Sequence, residues 1–230
     1  MQRNIYLLPL LVLLLTLQAY AQGPCFEGAV SYAVGSQPRS VVAADLDGDG
    51  DRDLAVANYD PYGSGSISVL KNNGDGTFAS AVSYAAGYTP RSVVATDLDG
   101  DGDQDLAVAN YSNTVSVLMN NGDGTLAAAV NYAVIEYPAS VFAADLDGDG
   151  DHDLAVTSNS SGRVSVLRNK GDGTFATAAT FAVGSNPWSA FVADLDGDGD
   201  QDLAVANYDG LSVSVLINCT CNCLHQGDLA

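Results

Sequence analysis

Residues 45–53 read Asp-Leu-Asp-Gly-Asp-Gly-Asp-Arg-Asp, and the same nine-residue pattern begins again at Asp97, Asp145 and Asp194. The flanking sequence repeats with it. FEGAVSYAVGSQPRSV at 26–41 returns as FASAVSYAAGYTPRSV at 78–93, LAAAVNYAVIEYPASV at 126–141 and FATAATFAVGSNPWSA at 175–190. A third element, NNGDGTF at 72–78, returns as NNGDGTL at 120–126 and NKGDGTF at 169–175. The repeats start at 26, 78, 126 and 175, so the period is 52, 48 and 49 residues, and four copies in one phase make this a repeat architecture.

Each copy predicts four short strands. In the first, residues 39–46 and 53–59 flank the acidic loop, residues 66–71 alternate small and large, and residues 77–85 close the unit. Asn-Gly-Asp-Gly between the third and fourth strands reads as a hairpin turn, because Asn and Gly tolerate positive φ. No stretch beyond the first twenty residues has a capped 3.6-residue apolar period, so helix is expected to be nearly absent. Tandem four-stranded units of about 50 residues are the mark of β-propeller blades, and the fold class is all-β. The first outer-strand sequence, 26–34, precedes any inner strands. It is expected to complete the last blade and close a four-blade ring.

These repeats resemble the FG-GAP/VCBS family, on the combined evidence of F-x-x-A-x-x-Y-A-x-G-x-x-P-x-S-V, DLDGDGDxDLAVAN and SVSVLxNNGDGTF across residues 26–218. The resemblance implies the calcium-binding β-propeller of integrin α-subunits and of many secreted bacterial proteins. Such propellers commonly have seven blades, where this chain has four copies.

Composition narrows the chemistry. The 230 residues carry 8 Lys+Arg against 28 Asp+Glu, a formal charge of −20, which argues against nucleic acid and anionic membranes as partners. Hydrophobic residues at 47% and charged residues at 16% exclude disorder. All the acid is Asp except Glu27 and Glu136. That bias, with 24 Gly, points to loops built to hold a cation. In residues 45–53 the carboxylates at loop positions one, three, five and nine can converge, with Gly50 allowing the turn as in an EF-hand loop. Hard oxygen donors of this number suit Ca²⁺, up to four ions in all. The expected ligands are Asp45, Asp47, Asp49 and Asp53; Asp97, Asp99, Asp101 and Asp105; Asp145, Asp147, Asp149 and Asp153; Asp194, Asp196, Asp198 and Asp202. Position seven (Asp51, Asp103, Asp151, Asp200) is expected to offer its backbone carbonyl while its side chain faces water.

The first 21 residues read as a signal peptide: Arg3, an apolar run over 5–17 and an Ala19-Tyr20-Ala21 cleavage site. The mature chain from Gln22 is then exported, with no membrane span. Residues 22–218 form the propeller, and the Cys-rich tail, 219–230, reads as the start of a different element. Export favours disulfides. Repeat register places Cys25 and Cys219 on either side of the missing hairpin, which predicts a bridge between them, with Cys221 as the second choice for Cys25.

No catalytic set stands out, and the chain is not expected to be an enzyme. His152 lies in an acidic loop, where an exposed position is expected, and His225 lies in the tail. The face opposite the acidic loops is a better place for function. It gathers Arg39, Tyr59, Tyr62, Tyr88, Arg91, Tyr111, Tyr137, Trp188 and Tyr208, residue types that supply binding energy and suit sugars. Arg39, Arg91, Tyr88, Tyr137 and Trp188 are the candidate ligand-face residues. The expected function is a binding or adhesion module for an extracellular protein or glycan. The alternative is an accessory propeller of a secreted hydrolase or lyase acting on polysaccharide or phospholipid.

Overall fold

A computed structural model describes residues 26–219 and divides the chain into Met1–Ser31 and Tyr32–Ala230. Within the first unit, residues 26–31 are exposed and carry no helix or strand. The leader and most of the Cys-rich tail lie outside the described residues, as does Cys25 of the expected disulfide.

The second unit is built from antiparallel sheets in chain order. The first is β1 (Pro38–Ala44), β2 (Asp53–Asn58), β3 (Ser64–Leu70) and β4 (Val82–Tyr88). The second is β5 (Pro90–Thr96), β6 (Asp105–Asn110), β7 (Thr114–Leu118) and β8 (Val130–Ala133). The third is β9 (Pro138–Ala144), β10 (Asp153–Ser158), β11 (Arg163–Leu167) and β12 (Ala179–Ala182). The last has three strands, β13 (Pro187–Ala193), β14 (Asp202–Asn207) and β15 (Ser212–Leu216). No described residue is helical. The second strands read DLAVAN, or DLAVTS in β10, rather than alternating polar and apolar because they are buried on both faces; β6 and β10 are buried throughout.

The expected blades are therefore present, with two corrections. Outer strands start later than expected: around the turn there are a bridge between Asn72 and Phe78 and bonds from Asn73 N–H to the Thr77 carbonyl and from Ala79 N–H to the Lys71 carbonyl, and the ladder resumes at Val82. The ring is not closed. Blades pack in series through β1–β5, β5–β9 and β9–β13, and no comparably packed pair of described strands joins β13 to β1. Residues 26–34 form no strand and do not complete the last sheet. The physical reason is that residues 32–35 are held on the first blade. The Tyr32 ring meets Phe78 edge-on at 5.4 Å, and Gly35 N–H donates to Ser68 Oγ at 3.2 Å.

Packing between blades uses a matched pair at each crossover. A Cβ on Gly35 would lie 2.7 Å from the Asn58 side chain, and one on Gly184 would lie 2.5 Å from Asn207. Gly87 meets Asn110 in the same way, at 2.6 Å. In the third blade the glycine is replaced by Ile135, and the asparagine is replaced by the smaller Ser158, whose hydroxyl donates to the Ile135 carbonyl.

Candidate metal centres

All four acidic loops fold alike because the first aspartate organises each. Asp45 Oδ1 accepts from Gly48 N–H at 2.8 Å and Oδ2 from Gly50 N–H at 3.0 Å, and Asp97, Asp145 and Asp194 repeat both bonds. Both glycines take positive φ, +74° and +93° in the first loop, which a side chain would strain. Carboxylates that would repel one another are thereby gathered. Asp45, Asp47 and Asp53 each offer an oxygen within 4.8 Å of the others, as do Asp97, Asp99 and Asp101, then Asp145, Asp147 and Asp149, then Asp194, Asp196 and Asp202. Positions one and three thus meet in every loop, joined by position five in two loops and by position nine in the other two. Asp49, Asp105, Asp153 and Asp198 stand outside these groups.

Position nine does a second job. Asp53, Asp105, Asp153 and Asp202 are buried. In each, one oxygen accepts the N–H of the loop's second residue and the other accepts the N–H of an asparagine after the third strand. For Asp105 these are Leu98 at 2.9 Å and Asn120 at 2.7 Å. Burial overcomes these bonds and pushes the Asp105 and Asp153 carboxyls up to about 6. The same asparagine clamps the preceding blade too: Asn120 Nδ2 donates to the Leu46 carbonyl, Asn169 to Leu98 and Asn218 to Leu146. Sequence reasoning missed this role. The signal was there, since Asn218 persists where NNGDGTF breaks down.

The side chain at position seven does not face water as expected. The Asp51 carboxylate lies over the hairpin of its own blade, where a Cβ on Gly74 would meet it at 3.0 Å, and Asp103 and Asp151 repeat the contact against Gly122 and Gly171. Asp200, in the blade without that hairpin, is likewise half-buried. The next blade's hairpin covers the loop from the other side, with Gly124 close to Asp47 and Gly173 close to Asp99. The hairpins themselves are plain turns. Asp75, Asp123 and Asp172 each accept from the hydroxyl of a following threonine, which holds their carboxyls below the usual range. His152, expected to be exposed, is half-buried, with Nδ1 at 2.5 Å from Thr96 Oγ1 of the second blade.

Two cations already touch these loops. Lys71 Nζ pairs with Asp47 at 3.2 Å and donates to the Asp123 carbonyl, and Arg168 pairs with Asp147 at 3.6 Å. Each engages only one carboxylate oxygen. The other, Oδ1 of Asp47 and of Asp147, is buried without a hydrogen-bond partner. An oxygen-only donor set with an orphaned carboxylate oxygen fits a hard cation.

Residues 45–108, 97–156 and 145–205 each match the FG-GAP-like repeat. The chain belongs to the FG-GAP-like repeat family. Among solved structures it is similar to BBS1N in complex with ARL6DN, soaked with lead, at 17% identity and TM-score 0.55 over 78% of this chain and 53% of that one. It is also similar to the Photorhabdus luminescens Tc holotoxin pore carrying the TccC3-D651A mutation, at 25% identity and TM-score 0.44 over 72% of this chain and 8% of that one. The first likeness shows the fold alone, and the chain spans about half of one neighbour and under a tenth of the other. No curated protein matches it. Among the described residues no helix is long and apolar enough to cross a membrane.

On the opposite face, the FG-GAP-like repeats pair the first strand's second residue with the residue following the second strand. Arg39 sits over the Tyr59 ring at 4.9 Å, Arg91 over Tyr111 at 3.9 Å, and Trp188 beside Tyr208 at 6.3 Å. In the third blade the pair is Ala139 and Asn159, and Tyr137 leans onto Tyr111 instead, at 4.7 Å. Burial holds the half-buried Arg91 below the ordinary arginine range. Arg39 and Arg91 are thus brought into one ladder with Tyr59 and Tyr111, while Tyr88, Trp188 and Tyr208 stay exposed.

Proposed function

We propose that the chain is an exported binding module, held in shape by Ca²⁺ on its acidic loops, that engages an extracellular protein or glycan through the opposite face and catalyses nothing itself. The observation that carries the binding half is the Trp188–Tyr208 pair. Both rings are exposed, at 55% and 70%, at positions where other blades place arginine–tyrosine stacks. A large aromatic pair in open solvent is costly to keep and suited to an anchor at an interface or under a sugar ring. The module's ligand is read with a glycan array and a pull-down from extracellular protein. Trp188→Ala should abolish the signal without changing the melting temperature, and an unchanged signal would overturn this reading.

The calcium half rests on the gathered carboxylates and the orphaned Asp47 and Asp147 oxygens. Asp45, Asp47 and Asp53 would hold the ion in the first loop, Asp97, Asp99 and Asp101 in the second, Asp145, Asp147 and Asp149 in the third, and Asp194, Asp196 and Asp202 in the fourth. A bound Ca²⁺ supplies charge neutralisation there, and the protein's own groups fix the loop around it. At ten times its Kd each occupied site adds about 1.4 kcal/mol. EDTA should therefore lower the melting temperature, and an identical melt with and without EDTA would rule calcium out.

A further inference from the structure

We propose that a second copy of this chain completes the last blade, its residues 26–34 adding as a fourth strand to the open edge of β15, so that two chains join head to tail. The argument begins with a plug and a socket. At the first two junctions, the first residue of an outer strand fills a gap between its own blade and the one before. Phe175 is buried among Leu98, Val117, Tyr132, Leu154 and Leu167, and Leu126 fills the same place one junction earlier. At the last junction the equivalent residues, Leu146, Val166, Phe181, Leu203 and Leu216, line an open groove of 280 Å³. The repeat breaks after Asn218, so no described residue of the last blade corresponds to Phe175.

The chain carries one unused plug. Phe26 occupies the same repeat position as Phe78, Leu126 and Phe175, and it is 91% exposed. The residues after it, FEGAVSYAV, match FASAVSYAA at 78–86, whose second half pairs with β3 as β4. Among the described residues, an outer-strand sequence thus lies unpaired at 26–34, and the sheet β13–β14–β15 has no fourth strand on the edge of β15.

The blade faces at the two ends are complementary in the same way. Val213 on β15 is 65% exposed, whereas its counterparts Ile67, Val115 and Val164 are fully buried. Val41 on β1 is 61% exposed, whereas Val93 and Val141 are buried. Each end shows half of the contact that the internal junctions bury, which identifies the occupant as another blade of this repeat. The seat is also set. Tyr32 against Phe78 repeats Tyr132 against Phe175, and Gly35 N–H on Ser68 Oγ repeats Gly184 N–H on Ser214 Oγ. Residues 32–35 thus already run where the outer strand of a preceding blade would lead into the first. A partner's β15 pairing there would lay its last blade on the Val41 face. Strand addition supplies the backbone hydrogen bonds and the Phe26 socket the specificity. Made twice, this heterologous contact closes two chains into a ring of eight blades, within the range that propellers adopt.

Protein expressed with its own leader and purified should sediment at micromolar concentration with twice the monomer mass. Phe26→Asp and Val213→Asp should each give monomers. Mixed in equal amounts, these two should re-form a dimer, because each retains the end the other lacks. Phe26 lies outside every strand, so Phe26→Asp should leave the monomer's circular dichroism and melting intact and decides the matter even if Val213→Asp fails to fold. A monomeric wild type, a dimer that survives Phe26→Asp, or two folded variants that do not reassociate would overturn the proposal.

Discussion

The aspartates of the acidic loops share one chemistry and divide into two kinds of work, which substitution separates. Asp105 is buried and its oxygens take two backbone N–H groups, so Asp105→Ala orphans both donors. Urea denaturation should show a loss of about 2–4 kcal/mol, in EDTA as well as in Ca²⁺. Asp101 is exposed, and Asp101→Ala should cost little in EDTA while removing the calcium-dependent increment of its loop. Equal losses for the two variants in EDTA would refute the division. The raised carboxyls of Asp105 and Asp153 also set a pH dependence. Their folded value of about 6 exceeds the unfolded 3.8, so the folded state keeps protons that the unfolded chain has shed. The metal-free protein should therefore lose stability as pH rises from about 4 to 6. The depressed hairpin aspartates act only below that window, where their contribution fades on acidification. Melting in EDTA across these pH values checks the sign, and added Ca²⁺ should abolish the decline. That the first and third aspartates of each loop meet was legible in the sequence because spacing within a nine-residue loop is local. The stapling role of position nine was not, because the asparagine it ties to the loop lies fifteen or more residues away.

Among the elements, the hairpins and inner strands followed from the sequence because each rests on neighbours in the chain: glycines with positive φ for the turns, apolar runs for the doubly buried strands. The crossovers did not, since a glycine there answers to an asparagine in another strand. Gly184→Ala would bring a methyl to 2.5 Å from Asn207 Nδ2. It should destabilise by about 1–3 kcal/mol, the usual cost of overpacking. Adding Asn207→Ser should recover part of that loss, as the natural pair of Ile135 and Ser158 implies. Additive effects in the double variant would mean that the pairing is coincidental. The same interlocking ranks the acidic loops. The second is covered by the third blade's hairpin and flanked by neutral Met119, whereas the first carries Lys71 and the third Arg168 on a carboxylate. The aspartates at positions one, three and five of the fourth loop are all exposed, and no NGDG hairpin follows it. Calorimetric titration should find the second site tightest and the fourth weakest, with Lys71→Met strengthening the first; four equal sites would contradict that ranking.

For the whole molecule, the number and order of blades were plain from the repeat, because each blade is specified within its own fifty or so residues. Closure was not, because it depends on the rotation between blades, which is set by packing summed over several junctions and by no single residue. The open series has a consequence for how the chain comes apart. A middle blade is gripped on two sides and a terminal blade on one, so stability behaves as a sum of units and nearest-neighbour couplings. In dilute solution, where chains stand alone, amide hydrogens of β6 and β10 should exchange last and those of β1 and β15 first. Unfolding then travels inward from both ends like a zip with two sliders, and the innermost strands outlast the rest.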